Sequence, residues 1–405
     1  MSGWVTKTIG EMCELTNGGT PKTGVAEFWG GQHQWVTPAE MGKRPTPYID
    51  ATERKLTDSG LASCSASPLP PHSVILSSRA PIGHLVINTV PMSFNQGCKG
   101  LVPKPGLDYK FLYYFLLANV ELLNALGTGA TFKELSGGKL KEVALPVPPL
   151  AEQKRIVALL DEAFEGIAKA TANAERNLAN ARELLAVIRQ ERFMALRDLA
   201  PTSTLGEICK FENGDRGANY PGKQHRVSEG VPFINAGHLS EAGIDFSEMD
   251  YISPERFSLL GNGKIRPNDV LFCLRGSLGK FACVNELDKG AIASSLVILR
   301  PSERLNLAYL LEYLAGPICA AMIAKYKGGA AQPNLGAKDL KKFEIPLPAH
   351  DIQRSTAEEL SSFAAQTRDV ETAYRAKIAG CMELRQSLLR KAFSGQLTDK
   401  EAVAA

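Results

Sequence analysis

The chain reads as an α/β protein in which two repeated α/β globules are separated by two long helices that pair as an antiparallel coiled coil with pseudo-two-fold symmetry. Three observations predict this. The sequence repeats itself once, each repeat closes on a proline-rich stop followed by a long proline-free heptad-like segment, and the remaining segments hold most of the glycine and proline between short β-branched runs.

The repeat opens with Thr8-Ile9-Gly10-Glu11-Met12-Cys13, which returns as Thr204-Leu205-Gly206-Glu207-Ile208-Cys209 at an offset of 196. Arg79 and Gly83 return as Arg275 and Gly279 at the same offset. Leu145-Pro146-Val147-Pro148 returns as Ile345-Pro346-Leu347-Pro348, followed by Gln153 and Gln353, at an offset of 200. The halves are homologous but unequal in length.

Within the globules, runs such as Ser73-Val74-Ile75-Leu76, His84-Leu85-Val86-Ile87, Asp269-Val270-Leu271-Phe272 and Leu296-Val297-Ile298-Leu299 predict strands between turn residues. Helical stretches are expected at Tyr109 to Asn124 and Leu307 to Ala324. After each proline stop, which no helix can cross, the small and apolar residues Ile156, Leu160, Ala163, Ile167, Ala170, Ala174, Ala181, Leu185 and Ile188 recur at three- and four-residue steps. Ile352, Leu360, Phe363, Thr367, Val370, Tyr374, Cys381, Leu384 and Leu388 repeat the rhythm with one irregularity. Helices of about 45 residues are roughly 70 Å long and must bury their seams. The available partner in the same chain is the other helix; the alternative is that each helix packs separately on its own domain. The organisation expected is therefore 1–149, a globule; 150–199, a central spacer helix; 200–349, a second globule; 350–397, a C-terminal spacer helix; and 398–405, a tail.

A length of 405 residues suggests two or three domains. Hydrophobic content of 44% and charged content of 22% argue against disordered, collagenous and membrane classes. Eight scattered cysteines without a C-x-x-C pair, and no basic-then-apolar start, fit a reduced cytoplasmic protein. The six histidines show no ligand spacing, so no metal site is expected. Catalytic motifs also fail. Gly137-Gly138-Lys139 lacks the earlier glycine and following hydroxyl of a phosphate loop, and Gly127-Thr128-Gly129 follows a helix instead of opening one. Glu53-Arg54-Lys55 has no preceding Pro-Asp, and no G-x-S-x-G elbow is present. No catalytic residue is assigned.

Each globule instead supplies polar loop residues of the types that pair with base edges, Arg with guanine and Asn or Gln with adenine. In the first these are Lys22, Gln34, Lys43, Arg44, Arg79, Gln96 and Lys99; in the second, Arg216, Asn219, Lys223, Arg226, Asn235, Arg275, Lys280, Lys327 and Asn334. Any of them serves equally as an ordinary loop residue. The net charge of +3 is spread evenly, with 13 basic and 11 acidic residues in 1–149 and 17 and 16 in 200–349. Neither globule carries the strong positive charge of a stand-alone nucleic-acid binder.

Asn17-Gly18-Gly19-Thr20-Pro21, the run from Leu145 through Pro149-Leu150-Ala151-Glu152-Gln153-Lys154-Arg155-Ile156, and the closing Leu388-Leu389-Arg390-Lys391-Ala392-Phe393-Ser394-Gly395-Gln396-Leu397 resemble the specificity subunit of type I restriction-modification systems. The resemblance covers essentially the whole chain. It implies a noncatalytic DNA-reading subunit: each globule a target recognition domain for one half of a bipartite, asymmetric double-stranded DNA site, and the helices a ruler that docks two modification subunits. It also implies S-adenosylmethionine on those modification subunits, for adenine N6 methylation, and ATP and Mg on restriction and motor subunits, with no cofactor on this chain and no membrane. Docking falls to Gln153, Lys154, Arg155, Gln353, Arg354, Arg390, Lys391 and Phe393, although for Gln153 and Gln353, at the helix starts, capping or local structure is the better reading. The second half departs from the pattern, with Ala349-His350-Asp351-Ile352 before Gln353 and Arg354. A coiled-coil scaffold that binds only proteins is the alternative from a different class.

Overall fold

In the computed structural model, residues 4–79, 81–129, 133–240, 243–285, 287–329 and 333–398 are described. The chain forms two compact units: 1–174 with 376–405, and 175–375.

In the first unit, Thr8 caps a single helical turn, Ile9–Met12: Glu11 N–H donates to Thr8 Oγ1 at 3.2 Å, and Thr8 N–H donates to Glu11 Oε2 at 2.6 Å. That reciprocal pair holds the Glu11 carboxyl below its usual range. The turn feeds a five-stranded sheet in the order Cys13–Asn17, Cys98–Pro103, Val74–Ser78, Ile82–Asn88 and Tyr48–Ile49. Beside it lies a three-stranded sheet of Arg54–Leu56, Trp29–Val36 and Met92–Phe94. Val5–Thr8 pairs antiparallel with Ala144–Val147, so the proline-rich stop is itself a strand before it gives way to the helix.

The second unit repeats the scheme. Cys209–Asn213, Leu296–Pro301, Val270–Cys273 and Phe281–Cys283 form its main sheet, and Thr202–Thr204 pairs with Glu344–Pro346. The first strand pairs with its partner in the same way in both units: Asn17 opposite Lys99, and Asn213 opposite Val297.

Two expected helices are each broken in two. The first divides at Asn119 into Tyr109–Ala118 and Val120–Leu126, with Asn119 Nδ2 donating to Phe115 O at 2.8 Å. The second divides into Leu307–Leu314 and Pro317–Tyr326, because Pro317 lacks the amide hydrogen needed to continue a helix and suits the start of a new one.

The two long helices span Leu150–Leu199 and His350–Phe393. Each starts on the core of its own domain and ends on the core of the other unit. Ile156, Val157 and Leu160 are buried in the first core beside Leu389 and Ala392, whereas Ala357 and Leu360 are buried in the second beside Phe193. Helix pairing within each unit is antiparallel. In the second unit Asn177, Arg182 and Arg192 meet Tyr374, Glu371 and Glu359 in descending order, and in the first the Arg385 guanidinium lies 4.8 Å from the centre of the Phe164 ring. Arg182 makes a two-pronged contact with Glu371, at 2.7 and 3.0 Å, and holds that carboxyl below its usual range.

Candidate nucleic-acid interface

A buried strand in each unit delivers an arginine to the surface. In the first unit Val74–Ser78 is wholly buried and Arg79 emerges from its end. The neighbouring turns are tied to that end by main-chain bonds: Ser78 N–H donates to Gly97 O at 2.7 Å, and Leu135 N–H donates to Ser78 O at 2.8 Å. Thr128 and Glu134 exchange backbone hydrogen bonds of 3.0 and 2.8 Å, and the Leu135 side chain is fully buried. Glu134 is therefore fixed beside Arg79, with Arg79 Nη1 3.6 Å from Glu134 Oε2 and both side chains more than two-fifths exposed. Thr20 Oγ1 donates to the Gln96 amide oxygen on the adjoining turn.

The second unit builds the same frame. Leu274 N–H donates to Ser295 O and Leu335 N–H to Leu274 O, at 2.8 and 2.9 Å. Gly328 and Asn334 exchange backbone bonds of 2.8 and 2.9 Å above the buried Leu335. Arg275 stands where Arg79 stands and Asn334 where Glu134 stands. Arg216, the counterpart of Thr20, donates from Nη2 to Ser294 O at 3.3 Å. Gly18 and Gly214 allow the first turn to pass so close: a Cβ on either would fall within 3 Å of the backbone of Asn95 or Ala293. Asp215, in place of Gly19, accepts from Gly217 N–H at 2.7 Å and Gly261 N–H at 2.8 Å, and these bonds lower its pKa.

The frame thus gathers Arg79 and Gln96 in one unit, and Arg216, Arg275 and Asn334 in the other. Exposed Lys280 closes the turn that carries Arg275, its carbonyl accepting from Cys273 N–H at 2.8 Å, and exposed Lys327 precedes Gly328. Glu134, Thr20 and Thr128 belong to the frame but were not among the residues expected from the sequence. The signal for Glu134 was the recurrence of Glu134-Leu135-Ser136 as Asn334-Leu335-Gly336 at an offset of 200.

Several expected DNA-facing residues are instead committed to the scaffold. Lys99 is only 8% exposed and its Nζ donates to Asn17 Oδ1 at 2.9 Å, because the register places it opposite Asn17 on an inner strand. Gln34 Oε1 accepts from both Thr52 N–H and Thr52 Oγ1 at 2.9 Å. Arg44 is half-buried and bonds the carbonyls of Tyr48 and Ala51. Asn235 caps a short helical turn and donates to Asp250 Oδ2 at 3.1 Å, while the Arg226 guanidinium lies 4.0 Å from the centre of the Phe233 ring. Asn219 donates to Leu259 O at 3.0 Å from an exposed loop. Lys22, Lys43 and Lys223 are exposed and lie outside the frame. A further cluster sits on the smaller sheet of the first unit: the Arg54 guanidinium lies 3.6 Å from the centre of the Trp29 ring, and Asp58, bonded to His33 at 2.7 Å, is held below the usual carboxylate range.

Three of the expected docking residues are engaged within the chain, and for Gln153 and Gln353 this is the local structural role their place at the helix starts suggests. Gln153 and Gln353 are buried, and each spends its whole amide internally. Gln153 accepts from Asp108 N–H at 2.8 Å and donates to Gly106 O and Pro148 O; Gln353 accepts from Asn306 N–H at 2.8 Å and donates to Arg304 O and Pro348 O. Each clamps the start of its long helix to the preceding domain. Phe393 packs edge-on against Phe111 and Phe115, with ring centres 5.2 and 5.5 Å apart, so it anchors a helix end to the first core. Lys154, Arg155, Arg354, Arg390 and Lys391 are exposed on the helices.

No group of three or more metal-ligating side chains is present among the described residues. Among them, no single helix is long and apolar enough to cross a membrane.

The sequence profile of the type I restriction modification DNA specificity domain matches residues 1–175 and again 200–379. The MjaIX type I restriction enzyme specificity subunit of Methanocaldococcus jannaschii is 27% identical over 366 residues, covering 86% of this chain and 84% of the relative. The EcoBI specificity subunit of Escherichia coli is 25% identical over 333 residues, covering 76% and 70%. Two solved structures share the fold at lower identity. A chain from work on the assembly and conformational transition of the type I restriction-modification system has a TM-score of 0.77 at 21% identity, covering 98% of this chain and 99% of that one. The HsdS subunit of Thermoanaerobacter tengcongensis has a TM-score of 0.57 at 20% identity, covering 98% of each. With its domain matched twice, once around each surface frame, the chain belongs to the family of type I restriction-modification DNA specificity subunits, which are noncatalytic.

Proposed function

We propose that each domain reads one half of a bipartite, asymmetric double-stranded DNA site through its surface frame, and that the long helices fix the gap between the halves. Two modification subunits dock on the helices and bring S-adenosylmethionine for adenine N6 methylation; restriction and motor subunits bring ATP and Mg. This chain binds no cofactor and acts in the cytoplasm. The observation that carries the reading is the repeated frame, in which one main-chain scaffold displays Arg79 in one unit and Arg275 in the other at equivalent places. The near-balanced charge of both domains supports a shared grip, in which partner chains supply much of the phosphate contact and this chain supplies base discrimination.

The test is selection from a randomised duplex library by the chain bound to its modification subunits. Two short conserved blocks separated by a fixed, unread gap are expected. Recovery of sequence-indifferent duplexes at every salt concentration would overturn the reading and favour a protein-only scaffold, whose associations lack the steep salt dependence of phosphate neutralisation.

A further inference from the structure

We propose that Glu134 and Asn334 are paired specificity-determining residues: one position of the frame, occupied by an acceptor-only side chain in the first domain and by a donor-acceptor side chain in the second. The proposal rests on the reading that each frame faces DNA.

The placement is set by the backbone. Each residue precedes a leucine that is buried to within 1% and pairs by two main-chain hydrogen bonds with the strand-like segment at Thr128 or Gly328. The side chain is thereby held at the surface next to the strand-end arginine, by bridges of Glu134 to Arg79 and of Asn334 to Arg275. The chemistry presented differs. A carboxylate accepts hydrogen bonds only, so Glu134 pairs with the exocyclic amine of cytosine and repels the O6 and N7 acceptors of guanine. It also draws on Arg79, 3.6 Å away, and turns part of that guanidinium from the DNA. The Asn334 amide both donates and accepts and so matches the N6 and N7 edge of adenine. Among the described residues no ion pair engages Arg275, which leaves its fork for guanine. At this position the two domains therefore read different bases through the same scaffold, by a changed side chain beside a shared arginine.

The experiment measures methylation of a panel of duplexes, each changed at one base of the selected site, by the full chain with its modification subunits. Glu134→Gln should move the preference at one position of one half-site from cytosine toward adenine, and Asn334→Asp should move one position of the other half-site from adenine toward cytosine. Each shift in relative rate should be roughly 5- to 150-fold, the range of one bidentate base contact. The conservative Glu134→Asp and Asn334→Gln, which keep acceptor-only and amide character, should retain the wild-type preferences, and thermal unfolding verifies that all four variants are folded. Unchanged preferences in Glu134→Gln and Asn334→Asp, or a uniform change over every duplex, would overturn the proposal. Absence of any sequence preference in the wild-type complex would sink the DNA-reading function itself, which is a separate outcome.

Discussion

The two domains share one scaffold and differ in what it displays. Around the strand end, the main-chain ties of the first domain at Ser78, Gly97 and Leu135 have counterparts in the second at Leu274, Ser295 and Leu335. The side chains at equivalent surface positions diverge, Thr20 to Arg216, Gln96 to Ser294 and Glu134 to Asn334. Buried hydrogen bonding constrains the first group, since an unpaired backbone group is costly; nothing comparable constrains the second. Duplication therefore preserves the frame and frees its surface to read two different targets.

Paired variants separate what is shared from what is not. The largest effect is expected where the halves share an anchor but bury it unequally. Phe193 is 1% exposed and packs on Tyr309 and Tyr313, while its counterpart Phe393 is half-buried on Phe111 and Phe115. Phe193→Ala should lower unfolding free energy by about 3–5 kcal/mol, and Phe393→Ala by less, as measured by urea denaturation. Equal losses would break the distinction.

Next come the helix clamps, where the halves agree. Gln153→Ala and Gln353→Ala each strand one backbone amide and two carbonyls, at a cost of about 1–3 kcal/mol for leaving buried groups unpaired. The two should cost alike. Unchanged unfolding with lost capture of a modification subunit would restore these glutamines to the docking surface.

The smallest effect is a pH response at Asp215, which only the second domain has at this place in the frame. Backbone hydrogen bonds from Gly217 and Gly261 depress the Asp215 pKa. The stability this adds is present above the unfolded carboxylate value of about 3.9 and fades as pH falls through the lower folded value. The Gly217 and Gly261 amide resonances should move in that acidic window, whereas the first domain, with Gly19 at this place, has no such response. Titration at an ordinary carboxylate value would contradict the assignment.

Most of the fold was legible in the sequence because the repeat and the heptad rhythm are one-dimensional signals. Leu145-Pro146-Val147-Pro148 and its counterpart marked where domain gives way to helix, and the seams of Ile156 and Leu160 marked the buried face. The breaks at Asn119 and Gly316-Pro317 were missed because each pair of short helices carries a continuous apolar run. The candidate site was legible only in part. Arg79 and Arg275 stood out through their shared offset, but residue type alone could not separate Lys99, opposite Asn17 on an inner strand, from an exposed lysine. Glu134 was overlooked because an acidic side chain does not suggest a DNA surface; only the main-chain bridge puts it beside Arg79.

The claim that each domain reads its own half-site is tested most directly by methylation rates on duplexes altered singly in either half, using Arg79→Ala and Arg275→Ala. Each variant should relax discrimination in one half-site only, a different half for each, with the larger loss for Arg275→Ala because Arg79 shares its charge with Glu134. Uniform weakening over all duplexes, or relaxation of the same half by both variants, would contradict it.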